Sequence, residues 1–334
     1  MKIVVYVPNW IGDSILALPA VESLSSNYPE AEIWLAAQGW VKDIFANISF
    51  IKGIIPLPAR KRFKDLRKTA NELKSYNFDA GLLLTNSFAS ALLFFMAKIP
   101  QRWGYSSDGR QILLTKKIRR QKYPGSHHQV YYYLNLISGL GLKTATPHLS
   151  LAVTKAEKKK TEEFLDSFGV DLKKLLFILN PGAFYGSAKR WPVEKYIELA
   201  KLLQENYSSE ILIIGSAQEV ELAEAIHASL EKKPVVLAGK TSLRQLVGVL
   251  SRAALCVTND SGPMHMANAL KVPTVALFGP TDPAVTAPFQ EPSVYLKKDV
   301  SCWPCAYREC PFDHRCMLDI SSEEAFKACK KLLS

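Results

Sequence analysis

Apolar and polar positions along this chain come in blocks. Lys2-Val7 is an unbroken apolar run behind one lysine, the pattern of a strand buried on both faces. It stops at Pro8-Asn9, and Gly12-Asp13 opens a helical pattern that runs to about Asn27. Strand patterns follow at Glu32-Ala37 and Ala80-Leu84, and a helix at Ser87-Ala97. After Pro147 the rhythm breaks into the charged stretch Lys155-Glu163, read as a solvated helix whose Lys158-Lys159-Lys160 face is wet. It then restarts with strands Leu175-Asn180, Glu210-Gly215, Val235-Leu237, Leu255-Asn259 and Thr274-Phe278. Helices Val193-Glu205, Glu219-Leu230, Ser242-Ser251 and Met264-Leu270 alternate with them. Such alternation predicts two α/β halves, each with a parallel sheet covered on both faces. The expected layout is residues 1–150, a connection over 151–175, a second domain over 176–321, and a closing helix over 322–334 packing across the domain boundary.

Composition fits that picture. The chain has 334 residues, 48% hydrophobic and 22% charged, as globular proteins are. The longest apolar stretch, Ala89-Ala97, is about half of what a bilayer crossing needs. Met1-Lys2 leads directly into the first strand, so no signal peptide is expected and the expected compartment is the cytoplasm. The net charge of +11 is one-sided. Residues 1–150 carry 19 Lys and Arg against 9 Asp and Glu, and the remainder carries 23 against 22. A basic first half attracts polyanions: nucleic acid, an anionic membrane surface or a phosphorylated substrate.

Candidate chemistry sits where strands end and helices begin. Pro8-Asn9-Trp10-Ile11-Gly12-Asp13 lies at the carboxyl edge of the first sheet, where open α/β folds bind ligands. Asp13 is read either as a helix N-cap or as a carboxylate base kept ionised by the helix end. The turn lacks the G-x-G-x-x-G spacing of dinucleotide sites. In Asn180-Pro181-Gly182-Ala183 through Lys189-Arg190-Trp191-Pro192, Gly182 and Gly186 give a flexible loop. Lys189 and Arg190 either grip a phosphate or flank an anchoring tryptophan. Thr258-Asn259-Asp260-Ser261-Gly262-Pro263-Met264-His265 ends a strand and starts a helix whose free N–H groups suit a phosphate. There Ser261 can add a hydroxyl donor, Asp260 reads as a cap, and His265 is either a donor to a phosphate or leaving group or a core histidine.

Two further features remain. Cys302-x2-Cys305-x4-Cys310-x5-Cys316 encloses His314; the first pair has metal-knuckle spacing, so structural zinc, packed reduced thiols and a disulfide are all open readings. Basic clusters occur at Arg60-Lys61-Arg62 with Lys64, Arg67 and Lys68, and at Lys116-Lys117 with Arg119-Arg120 and Lys122, with Arg102 and Arg110 between them. No nucleic-acid fold signature accompanies them, so an anionic small molecule or lipid surface fits better than nucleic acid.

Taken in order, these motifs resemble the glycosyltransferase family of ADP-heptose–lipopolysaccharide heptosyltransferases over nearly the whole chain. The likeness rests on Gly12-Asp13 with Pro19, Asn180-Pro181-Gly182-Ala183 with Lys189-Arg190-Trp191-Pro192, Gly215-Ser216-Ala217, and Asn259-Asp260-Ser261-Gly262 with His265. Pro8-Asp13, Asn86-Leu92 and Ile99-Tyr105 look like the heptosyltransferase II version. The resemblance implies a GT-B fold, two Rossmann-like domains facing across a cleft that closes on its substrates. It implies inverting transfer of heptose from ADP-heptose to the heptosyl-Kdo lipopolysaccharide inner core, by a monomer at the cytoplasmic face of the inner membrane, with no catalytic metal. Asp13 would be the base and Lys189 the phosphate-binding lysine. Gly182, Ala183, Arg190, Gly215, Ser216, Thr241, Asp260, Ser261, Gly262 and His265 would line the donor site. Asn9, Trp10, Gly12, Asn86, Ser87, Arg62, Arg102, Arg110 and Arg120 would meet the acceptor. After Gly215 the chain reads Ser216-Ala217-Gln218, without the acidic donor contact some relatives carry there. Rival readings are heptosyltransferase I or a related family member with another donor sugar, a nucleotide-sugar epimerase, a non-catalytic sugar-nucleotide or lipopolysaccharide-binding protein, and a nicotinamide dehydrogenase. The basic first half argues against the epimerase and the missing glycine fingerprint against the dehydrogenase.

Overall fold

A computed structural model describes residues 1–58, 63–120 and 127–334. Arg62, expected to meet the acceptor, and Arg60, Lys61 and Lys122 of the basic clusters lie outside the described residues.

The chain divides into two units, Met1–Leu149 and Ser150–Ser334. In the first, strands β1 (Lys2–Tyr6), β2 (Glu32–Gln38), β3 (Gly53–Leu57), β4 (Ala80–Leu83), β5 (Gln101–Tyr105) and β6 (Lys116–Ile118) form one parallel sheet. Its spatial order is β3-β2-β1-β4-β5-β6. The helices are α1 (Ile11–Leu16), α2 (Leu18–Asn27), α3 (Phe63–Ser75), α4 (Phe88–Met96) and α5 (Gln129–Gly139). The single helix expected from Asp13 to Asn27 is two. Pro19 has no N–H to continue the ladder, so the backbone restarts at Leu18 with proline in the first turn of α2.

The second unit opens with α6 (Lys155–Asp166) and continues through β7 (Leu175–Asn180), α7 (Val193–Asn206), β8 (Ser209–Ile213), α8 (Val220–Ala228), β9 (Val235–Val236) and α9 (Leu243–Ser251). It ends with β10 (Leu255–Asn259), α10 (Gly262–Ala269), β11 (Thr274–Phe278), α11 (Pro283–Thr286), β12 (Ser293–Lys297), α12 (Arg315–Leu318) and α13 (Ser322–Leu333). Its sheet is again parallel, in the order β12-β11-β10-β7-β8-β9. Every residue of β10 and β11 is buried, as strands covered on both faces require.

Both sheets place their first strand beside their fourth: β1 against β4, and β7 against β10. At these switch points the connections leave toward opposite faces and open a crevice at the carboxyl edge, the ligand-binding position of doubly wound folds.

Two boundaries differ from expectation. The stretch 151–175 belongs to the second unit. There Thr154 and Glu157 cap α6 reciprocally, and Arg244 of α9 holds the Glu157 carboxylate at 2.6 Å. The lysine run is exposed, as read. The closing helix α13 packs on α7 and on β10 to β12, because its apolar stripe, Ala325, Ala328 and Cys329, completes the core of its own unit. That core also holds Phe177, Trp191 and Tyr196, with the last two rings edge-on at 4.9 Å.

Candidate functional site

The richest polar network lies at the β7/β10 switch point. The Asn180 side chain, at the end of β7, donates to the Thr258 hydroxyl at 2.9 Å and to the Ser261 hydroxyl at 2.8 Å. Asn259, ending β10, donates to the Pro181 and Gly182 carbonyls at 2.8 and 3.2 Å and accepts from the Trp191 N–H at 3.1 Å. These amides tie the two loops that flank the crevice. Across them Lys189 Nζ meets Asp260 Oδ2 at 2.5 Å, and the Thr281 hydroxyl donates to the same oxygen at 2.7 Å. Asp260 is 5% exposed and Lys189 13%, so this ion pair is largely desolvated. An ammonium has three donors and Asp260 engages one, which leaves Lys189 able to serve an anion as well.

Ser261 precedes α10, whose first residue is Gly262, so the N–H groups of the first turn, which have no partner within the helix, lie at the same strand-end edge. His265 is buried in that first stretch of α10. Ala183 is buried, and Arg190, beside Lys189, has a buried Nε with no hydrogen-bond partner among the described residues. Gly215 and Ser216 follow β8, and Thr241 follows β9 just before the Ser242 cap of α9, all at the same edge. The sequence reading missed Glu219. It is buried, its carboxylate accepts from the Ser216 N–H at 2.7 Å and the Ser216 hydroxyl at 2.8 Å, and Gly182 packs directly on it. A Cβ at Gly182 would stand 2.1 Å from Glu219 Oε1. An acidic residue thus follows Gly215 one position past Gln218, its carboxylate engaged in the capping box with Ser216, and the Ser-x-x-Glu spacing was its signal.

In the first unit the β1/β4 switch point gathers Asn9, Trp10, Gly12 and Asp13 after β1, and Asn86 and Ser87 after β4. Trp10, 48% exposed, takes the cap position of α1, and Asp13 is the third helical residue. Asp13 is therefore not the N-cap. The Tyr133 hydroxyl of α5 donates to Asp13 Oδ1 at 3.3 Å. Burial and the nearby Asp13 charge push the Tyr133 phenol well above its ordinary range, so it stays a donor. Nothing local marks Tyr133, since it lies 120 residues away in the chain. Asn86 donates to the Tyr132 hydroxyl at 2.6 Å, and Ser87 caps α4.

The arginines sort differently from expectation. Arg120 is exposed at the carboxyl end of β6, its guanidinium 5.2 Å above the Tyr132 ring. Arg110 is wholly buried and spends its fork on the Tyr105 and Thr85 carbonyls and the Asn86 amide oxygen. Desolvation lowers it to about 10. It shapes the Asn86 loop from beneath and is shielded from any acceptor. Arg102 is the second residue of β5, in register with Gly81 and Val4 and three residues before the site edge, and its side chain binds the Ile99, Pro100 and Leu113 carbonyls. Neither arginine sits where the acceptor reading needs it.

Cys302, Cys305, Cys310 and Cys316 line one small cavity together with Ala188 and His314. All six cysteines are free thiols. Among the described residues no three His, Cys, Asp or Glu side chains are grouped to hold a metal ion, so the zinc reading gains no geometric support. No helix of the described residues is long and apolar enough to cross a membrane.

Residues 66–315 match the profile of glycosyltransferase family 9 (heptosyltransferase). The chain is 33% identical over 305 residues to lipopolysaccharide heptosyltransferase 2 of Escherichia coli K12, covering 86% of this chain and 85% of that one. It is 29% identical over 341 residues to lipooligosaccharide heptosyltransferase 2 of Campylobacter jejuni, covering 100% and 98%. The solved structure of E. coli ADP-heptose lps heptosyltransferase II superposes with a TM-score of 0.86 at 29% identity, covering 100% of this chain and 98% of that one. With two parallel doubly wound sheets, polar loops gathered at both switch points and a family match across three quarters of its length, this chain belongs to glycosyltransferase family 9, the heptosyltransferases.

Proposed function

We propose that the protein is an inverting heptosyltransferase of the II type. It moves heptose from ADP-heptose to the heptosyl-Kdo inner core of lipopolysaccharide, working as a monomer at the cytoplasmic surface of the inner membrane. The observation that carries this reading is the desolvated Lys189–Asp260–Thr281 network beside Ser261 and the α10 N-terminus. It is a ready receptor for a diphosphate. Relatives from Escherichia coli and Campylobacter jejuni carry the heptosyltransferase 2 name.

Asp13 of the first unit takes the proton of the acceptor hydroxyl as that oxygen attacks the anomeric carbon. The bond from that carbon to the diphosphate breaks, and ADP leaves with the electron pair. Lys189, the Ser261 hydroxyl and the free N–H groups at Gly262 stabilise the charge that develops, each good donor being worth about 2–4 kcal/mol. Glu219, Thr241 and His265 complete the donor pocket. Tyr133 holds the Asp13 carboxylate in place. These groups supply the electrostatic work, so transfer runs without a catalytic metal.

The test is incubation of the purified protein, with EDTA present, with ADP-heptose and defined lipid A–core acceptors, reading the products by mass. Addition of one heptose to a monoheptosyl core is expected. Addition only to a heptose-free Kdo core would assign the type I reaction, and free heptose without acceptor product would overturn the transferase assignment.

A further inference from the structure

The cysteine-bearing loop touches the donor site at more places than its remote position in sequence suggests. Ala188, the residue before Lys189, has both backbone polar groups engaged by it. The Ala188 N–H donates to the Arg308 carbonyl at 3.0 Å, and the Ala188 carbonyl lies 2.8 Å from His314 Nε2. A carbonyl only accepts, so His314 carries its proton on Nε2. Gly186 lies so close to the Arg308 backbone that a Cβ there would stand 2.1 Å from its oxygen. The Tyr185 hydroxyl donates to the Ala306 carbonyl at 2.8 Å, and the Tyr185 ring lies under Lys189 at 4.9 Å. On the other side of the crevice the Ala306 N–H donates to the Pro280 carbonyl at 2.9 Å, and the Trp303 indole donates to the Thr281 carbonyl at 3.1 Å. The loop thus grips both residues that converge on Asp260, Lys189 through Ala188 and Thr281 through Trp303.

His314 adopts the left-handed backbone region, with φ at 58°, a conformation that costs energy in a residue with a side chain. That conformation accompanies the contact between its ring and the Ala188 carbonyl.

We infer that loop 302–316 is the positioning element of the donor site, and that His314 is a positioning residue that sets Lys189 for the diphosphate through its hydrogen bond to Ala188. This rests on the donor-site reading proposed above. His314 does not touch the donor; it fixes the turn from which Lys189 projects.

The experiment is a double-mutant cycle on ADP affinity, measured by calorimetry on the full chain, with melting curves as the fold check. His314→Ala is expected to weaken ADP binding about tenfold, the weight of one well-made hydrogen bond. His314→Gln, which keeps a donor of similar reach, is expected to recover most of that loss. In a Lys189→Ala background, His314→Ala is expected to cost little more, because the group it positions is gone. Tyr185→Phe keeps the ring beneath Lys189 and removes only the tie to Ala306, so it should show the same dependence on Lys189 and serves if His314→Ala does not fold. Wild-type affinity in both His314→Ala and Tyr185→Phe would overturn the proposal, and so would an equal loss with and without Lys189. Absence of ADP binding by the wild-type protein would instead overturn the donor-site reading itself.

Discussion

Asp13 shows how much one carboxylate depends on its surroundings. It is the third residue of α1, where the helix end favours its charge, and Tyr133 steadies one oxygen from 120 residues away. Asp13→Asn keeps the shape and the hydrogen-bonding capacity but cannot accept a proton. Transfer is expected to fall by about 10²–10⁴-fold, the usual weight of general-base catalysis, while ADP affinity stays within about twofold. Turnover close to wild type in a product assay would remove Asp13 from the base role. Sequence alone marked Asp13, Lys189 and Asp260 because each lies in the connection from a strand to the next helix or in that helix's first turn, in a segment that carries glycine. It could not mark Tyr133 or Glu219, whose roles come from packing, and it overvalued Arg102 and Arg110. Guanidinium groups look alike in sequence whether they face water or fork onto buried carbonyls.

Elements were legible where burial is two-sided. β1, β7, β10 and β11 are continuous apolar runs and were read within a residue of their observed ends. Edge strands were not, apart from β9, which reads as Val235-Leu237. β6 reads Lys116-Lys117-Ile118, with both lysines exposed, and was taken only as a basic cluster. β12 has no fully buried position. A strand with a single neighbour has one wet margin, which dilutes the apolar signal. The same scale holds the tie between α6 and α9. Arg244, first, and then the Thr154 cap hold the Glu157 carboxyl at about 2, below its ordinary 4.5. A carboxyl depressed on folding adds stability that is full above its unfolded value and is lost as pH falls through the window from 4.5 toward 2. Denaturant midpoints across that window should drop less steeply for Glu157→Gln than for the wild type. Parallel curves would mean the pair adds nothing to the acid response.

At the scale of the whole molecule, charge and chemistry divide along the unit boundary. Unit one holds an excess of ten positive charges and unit two an excess of one. Lys64, Arg67 and Lys68 fall on α3, and the exposed Arg120 stands at the sheet edge near Asn86. Long-range attraction weakens as salt shortens the screening length from about 10 Å at 0.1 M to about 3 Å at 1 M. The Lys189–Asp260 pair is desolvated and screens poorly. Raising salt should therefore increase the KM for the acceptor several-fold while ADP affinity moves less. Equal sensitivity would mean the basic half does not serve the acceptor.

The cysteines, finally, make the second unit its own clock. All six lie beyond residue 255, so the first unit carries none. Cys302 is exposed, whereas Cys256 and Cys329 are buried and desolvation drives both thiols up to about 12. Only a thiolate reacts with a disulfide reagent, so at neutral pH those two are silent until the core around them opens. Cys302 should label at once and Cys256 and Cys329 at the rate of opening, which mass spectrometry of timed digests would resolve. Because unit one cannot contribute to that signal, the slow phase would time the breathing of the donor-side core alone, and ADP should slow it if the nucleotide binds where Lys189 stands.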